Sequence, residues 1–217
     1  MTDITSLFLT IKIALFVTPF LIILIMPLSY LISFKNFYGK TFTQAFLNLP
    51  LFIPPTVLGF LLLLAMSPES FLGQFYENIT GKRLVFTFQG LFLALMVSNI
   101  PYAFQPMSAS FEKLDKRLVE ASKMLGFSEL KTFFMVIIPN SIGGIAASCA
   151  LVFSHCLGEF GVVLMVGGAI PGKTKTASVS IFESVEMLDY SGAFKMSAIL
   201  LVTGLFFSWL ITGVLRK

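Results

Sequence analysis

The sequence predicts an all-α membrane protein with about five spanning helices. Composition is the first reason: of 217 residues 56% are apolar and only 12% are charged. A chain of that length is too short for several domains, and no soluble core of its size could hide so much apolar surface, so lipid must solvate much of it. The second reason is the placement of charge. Runs without Asp, Glu, Lys or Arg cover 13–34, 46–66, 84–107, 133–158 and 196–215, each long enough to cross a bilayer as a helix. A helix satisfies its own backbone groups in lipid, which an open strand does not.

The residues before the first run do not form a secretory signal. Their positive charge is single (Lys12), and the apolar stretch that follows is too long and lacks a small-residue cleavage site. The first run carries Thr18-Pro19 and Met26-Pro27, so a kinked packing helix is expected. In the second, Pro50, Pro54 and Pro55 interrupt the helix near its start, and Gly59 allows another helix to approach closely. Such bent helices suit the lining of a path, with Thr56 as its polar candidate. The segment 67–83 mixes Pro, Gly and charge and reads as an outer loop.

The third run contains Ser98, Asn99, Pro101, Tyr102 and Gln105. Polar groups in lipid are costly, so this helix should face the interior, either toward a water-filled path or in plain interhelical hydrogen bonds. From 108 to 132 the chain turns polar, while Phe111, Leu114, Leu118, Ala121 and Leu125 recur at three- and four-residue steps. That is an amphipathic helix held at the membrane face.

The fourth run begins its apolar course beside Pro139-Asn140-Ser141, continues through Gly143-Gly144, Ser148, Ser154 and His155, and ends at Gly158-Glu159-Phe160-Gly161. Its small residues make it the leading candidate for pore lining. The stretch 162–170 is apolar but too short to span, hence a re-entrant piece at the outer mouth. Pro171-Gly172 breaks it. Ile181, Phe182, Val185 and Leu188 then predict a short helix on the outer surface. The last run ends at Arg216-Lys217.

Orientation follows from basic residues in alternate loops. One side holds Lys35, Lys40, Lys113, Lys116, Arg117, Lys123, Lys131, Arg216 and Lys217; the other holds Lys12, Lys82, Arg83, Lys173, Lys175 and Lys195. The ratio is roughly three to two, which puts the N-terminus outside and the C-terminus in the cytoplasm. The formal charge of +4 reflects these flanks and implies no nucleic-acid partner.

Three patterns invite chemistry. Gly167 to Thr174, GGAIPGKT, satisfies the P-loop spacing, but a P-loop joins a parallel strand to a helix, and the neighbouring segments are spans. His155 and Glu159 share a helical face and could serve an intramembrane enzyme. They are too few to hold a metal. Cys149 and Cys156 lie about 10 Å apart along one helix, too far for a disulfide. We therefore expect no metal, no cofactor and no catalytic residue.

The stretch EASKMLGFSELKTFFMVIIP, residues 120–139, resembles the EAA loop of binding-protein-dependent ABC transporter permeases. Glu120, Ala121, Gly126 and Pro139 stand in register with it. Ser122 replaces the second alanine, Val136 the isoleucine and Ile138 the leucine. Two further blocks, 49–60 with its Leu-Pro, Pro-Pro-Thr and Val-Leu-Gly-Phe, and 158–176 with Gly-Glu-Phe-Gly and Ile-Pro-Gly-Lys-Thr, resemble molybdate permeases, whereas sulfate permeases read differently across the first.

The resemblance implies a type I ABC importer permease fold over 9–214 with a cytoplasmic coupling loop at 108–132. It also implies a homodimer in a bacterial inner membrane, two copies of a separate ATPase subunit, and a soluble substrate-binding protein. Glu120, Ala121, Ser122, Gly126 and Pro139 are then the coupling residues, with 120–130 moving as one rigid helix. Thr56, Ser98, Asn99, Asn140, Gly158, Glu159, Phe160 and Gly161 are candidates for pore or gate. The implied cargo is molybdate, with sulfate or tungstate as the alternative. An enzyme built on His155 and Glu159, and a membrane scaffold without transport, are readings from other classes.

Overall fold

The structure, a computed structural model, describes residues 4–215. Arg216 and Lys217, which weigh in the orientation argument, lie outside them. Twelve α-helices make up the fold, with one 3-10 turn and one π turn between them and no strand among the described residues.

Helix α1, Ile4–Phe34, runs unbroken through Pro19 and Pro27. Ile13, Val17 and Leu21 repeat every four residues and are fully buried, while Phe20, Ile23 and Leu24 on the other side stay exposed. A helix apolar all round is one solvated by protein on one side and lipid on the other.

The second predicted span is not one straight helix. It consists of α2, Lys40–Asn48, a 3-10 turn at Leu49–Leu51, and α3, Pro55–Ala65, with a bend of 106° between the parts. Proline disfavours helical geometry in the residue before it. Pro54 precedes Pro55 and takes φ −53°, ψ 136°, an extended conformation.

The expected outer loop holds a helix, α4, Phe71–Thr80. Its signals are local: the Ser70 hydroxyl accepts from the Gly73 amide at 3.0 Å, and Gly81 closes the other end at φ 67°. Helix α5, Phe88–Glu112, is capped in the same way by Thr87 and extends past the predicted third span.

Next come α6, Lys116–Met124, and α7, Glu129–Thr132. A π turn at Phe133–Ile137 follows, then α8, Ile138–Asn140, and α9, Ile142–Gly158. The fourth predicted span is therefore also bent, by 73°. Pro139 lacks an amide to donate, and just before it the ladder widens, the Ile138 amide reaching back to the Phe133 carbonyl.

The stretch expected to be re-entrant holds α10, Gly161–Gly167, and the short helix expected after Pro171-Gly172 is α11, Ala177–Glu186. Helix α12, Tyr190–Leu215, is the last of the described elements. Helices α1, α5 and α9 pack on one another, α12 lies against α9 and α11, and α10 is wedged between α3 and α5. Leu21, Leu91, Leu95, Met107, Val152 and Phe153 fill the space between the three central helices.

By length and composition, α1 and residues Tyr190–Ile211 of α12 can each cross a membrane, and the number rises to four if each bent pair is one span. The apolar part of α5 is Phe88–Ser98. Polar residues from Ser98 onward dilute the rest, which is why five uncharged runs do not become five uniformly apolar helices.

Candidate functional site

Two polar constructions stand out in this apolar bundle: the loop between α5 and α9, and a buried chain of side chains joining α5, α9 and α10.

In the loop, Asp115 opens α6 by accepting from the Arg117 amide at 3.0 Å. The helix stops at Gly126, whose φ of 78° belongs to the left-handed region. There the Phe127 amide bonds the Ser122 carbonyl at 3.0 Å and the Gly126 amide bonds that of Lys123 at 2.9 Å. This pair of bonds is a Schellman motif with glycine at the position that needs positive φ. Residues 120–130 are thus a helix, a turn and the start of α7, not a single rigid helix.

Ser122 is buried, although it stands where the resembled pattern has alanine. Its hydroxyl donates to the Val119 carbonyl at 2.7 Å, and the Thr132 hydroxyl lies 3.0 Å away. A hydroxyl has one proton to give, so Thr132 donates to Ser122, and α6 is tied to α7. Glu120 and Ala121 face outward. Met124, Leu125 and Leu130 are 88%, 76% and 72% exposed, an apolar fringe beside Glu120. Pro139, just after the π turn, is also exposed.

The buried chain starts at Asn99, fully enclosed in α5. Its amide group donates to the Leu95 carbonyl at 2.8 Å and reaches the Ser98 hydroxyl at 3.3 Å. Its carbonyl oxygen lies 3.1 Å from His155 Nδ1. On the far side of the ring, Nε2 lies 3.4 Å from Glu159 Oε2. The ring stacks on Tyr102 with centroids 4.0 Å apart. Glu159 Oε1 accepts from the Val162 amide at 3.2 Å in the first turn of α10, and its backbone carbonyl accepts from the Ser178 hydroxyl at 2.7 Å. One residue therefore holds the end of α9, the start of α10 and the start of α11 together.

Beside this chain lies a cavity of about 90 Å³. Ser98, Tyr102, His155 and Glu159 form its polar wall, and Pro50 and Leu58 close it from the bent second segment. A buried ionisable group must be paired or hydrogen-bonded, and Glu159 meets that need through the Val162 amide and the His155 ring. Among the described residues no cluster of three or more His, Cys, Asp or Glu side chains could hold a metal.

The other predicted positions fall around this centre. Gly161 lies where a Cβ would come within 2.9 Å of Pro55 Cβ and 3.0 Å of the Thr56 amide, and a Cβ on Gly59 would come within 2.9 Å of Val162 Cα. Helices α3 and α10 cross at contact distance through these two glycines. Thr56 itself is exposed. Phe160 packs on Phe182 of α11, centroids 4.9 Å apart. Asn140 is exposed at the opposite end of α9, donating to the Val136 carbonyl at 2.7 Å. Gly158 is exposed, with open space where a side chain would point. The structure thus gathers Ser98, Asn99 and Glu159 near His155, sets Gly161 against α3, and leaves Asn140 apart.

A further polar link joins Gln105 of α5 to Asn48 at the end of α2, 2.9 Å apart. Asn48 follows the same rule that marks Asn99, a polar side chain within an uncharged run.

At GGAIPGKT the amides of Lys173, Thr174 and Lys175 all point to the Ile170 carbonyl, at 3.0 to 3.1 Å. The Thr174 hydroxyl donates to the Gly167 carbonyl at 2.6 Å. The donors that would cradle a phosphate are consumed inside the turn, and the preceding segment is helix α10, not a strand.

The comparisons with known proteins agree with this architecture. The chain is 37% identical to the molybdenum transport system permease protein of Azotobacter vinelandii over 191 residues, 88% of this chain and 84% of that one. It is 32% identical to a probable sulfate transport system permease protein of Chlorella vulgaris over 179 residues, 82% of this chain and 67% of that one. Its fold superposes with a TM-score of 0.80 and 15% identity on a chain of a bacterial ABC transporter involved in the import of alginate, covering 98% of this chain and 78% of that chain. The family profile described as binding-protein-dependent transport system inner membrane component matches residues 25–217. With that match, the exposed helix–turn–helix loop and the all-helical fold, the chain belongs to the binding-protein-dependent transport system inner membrane components, the permeases of ABC transporters.

Proposed function

We propose that this chain is the permease subunit of an ATP-driven importer of molybdate, working as a homodimer over residues 9–214. In this reading two copies of a separate ATPase engage the exposed side of α6 on the cytoplasmic side, a soluble binding protein delivers the anion from the other, and the N-terminus lies outside. The observation that carries the substrate assignment is that the two blocks resembling molybdate permeases, 49–60 and 158–176, meet in space through Gly59 and Gly161. The higher identity to a molybdenum permease than to a sulfate permease supports it. Sulfate is the second reading, favoured by the extent of that sulfate match.

ATP-driven closure of the ATPases moves α6 and α7 together through Ser122 and Thr132. The π turn and the bend before α9 convert this into a rocking of α9. At the far end Glu159 carries the movement to α10 and, through the glycine crossing, to α3. Thr56 and Asn140 are exposed to meet the anion, whereas Asn99 is enclosed in this state. Binding along the path must stay weak enough for release. Each state must also be favoured by a different ligand, because equal affinity shifts nothing.

Uptake of molybdate, tungstate and sulfate into vesicles carrying the assembled transporter and the loaded binding protein tests the assignment. Molybdate uptake that excess sulfate leaves unchanged is the expected result, and sulfate uptake at equal or higher rate would replace the first reading with the second.

A further inference from the structure

Where α1 leaves its apolar course, two adjoining cavities open toward the loop that carries α6 and α7. The first, of about 420 Å³, is a trench with Ile23, Met26, Tyr30, Leu130, Phe133 and Phe134 in its walls. The second, of about 410 Å³, has Lys35, Lys40, Lys116 and Lys123 in its wall, with Glu120 and Glu129. Tyr30 and Glu129 line both, so the trench and the basic cup are neighbours. Their boundary coincides with the end of α1 at Phe34, where the uncharged run gives way to Lys35.

Glu129 is paired with Lys35 at 3.2 Å, which cancels both charges locally. Lys40, Lys116 and Lys123 then face Glu120 alone, a surplus of positive charge at the edge of an apolar surface. Ile23, Leu130 and Phe134 are 71%, 72% and 61% exposed, so nothing among the described residues covers the trench.

The geometry points to a binding site for an anionic phospholipid, with an acyl chain in the trench and the phosphate in the lysine cup. Charge complementarity selects this occupant. A neutral lipid leaves a surplus of two positive charges unanswered, and a free nucleotide or inorganic anion makes no use of the apolar walls. Basic side chains at the membrane surface attract anionic headgroups. Since α7 forms one wall of both cavities, a lipid there braces the loop against α1.

The full-length chain in vesicles tests this, with Trp209→Phe removing the native indole and Phe134→Trp placing a reporter in the trench. Brominated phosphatidylglycerol should quench that reporter at a mole fraction on the order of tenfold lower than brominated phosphatidylcholine. Combined Lys40→Gln, Lys116→Gln and Lys123→Gln should bring the two to parity, and the three arginine replacements should keep the preference. Equal quenching by both lipids in the parent, or an undiminished preference in the glutamine variant, would overturn the site. Loss of quenching on adding the ATPase would also overturn it, assigning this pocket to the subunit interface.

Discussion

The hydroxyls of Ser122 and Thr132 meet at 3.0 Å in a buried contact that fastens α6 to α7. The contact therefore ties the two helices into one braced pair, although Gly126 interrupts the backbone between them. A Ser122→Ala change strips a buried donor of its acceptor, and removing both hydroxyls is milder than removing one, because no orphan remains. A double-mutant cycle on Ser122→Ala and Thr132→Val, read by urea unfolding in detergent, should give a coupling of roughly 0.5 to 1.5 kcal/mol.

Gly126 has open space around it, so only its backbone resists substitution. Gly126→Ala should destabilise the turn by roughly 1 to 2 kcal/mol, and Gly126→Asn by less. Amide exchange at 122–128 should report this order, and ATPase stimulation should fall in the same order.

The crossing of α3 and α10 admits no extra atom. Gly161→Ala and Gly59→Ala each press a methyl against backbone or a ring carbon, at 2.9 Å in both cases, and each should cost about 1 to 3 kcal/mol. The double variant should cost less than their sum, since once the helices separate both clashes are relieved. Thermal unfolding midpoints of the three proteins check this.

Glu159 acts through its oxygens rather than as a free charge. Glu159→Gln keeps an acceptor for the Val162 amide and should retain most of the uptake rate. Glu159→Ala leaves that amide and His155 Nε2 without a partner, and should lose uptake at least tenfold while costing about 1 to 3 kcal/mol of stability. If both variants lose uptake equally with stability unchanged, the carboxylate has a role in transport chemistry that its hydrogen bonds do not describe.

The helical class and the loop with its glycine stop are readable from the chain, because uncharged length and the spacing of Glu120, Gly126 and Pro139 are local facts. The bends are less so. Pro54-Pro55 announces an interruption but not its 106°, which depends on α3 finding α10 through Gly59 and Gly161. Helix α4 was legible in Ser70 and Gly81, yet the charge and glycine of that segment read equally well as loop. Asn99 and His155 stand out as polar residues in lipid-length runs, and Glu159 as the charge that ends one, but only packing brings α5 against α9 and joins them. Ser122 reads as a mild replacement for alanine, and its partner Thr132 emerges only when the chain turns back on itself.

The proposed role of this loop is to couple the membrane helices to an ATPase. ATPase activity of the purified chain assembled with its ATPase in lipid, with and without binding protein loaded with molybdate, tests it most directly. Stimulation by the molybdate-loaded protein that disappears in Gly126→Ala, with the complex still assembled, is the predicted result. Stimulation that survives Gly126→Ala unchanged, or no response to any loaded binding protein, would contradict it.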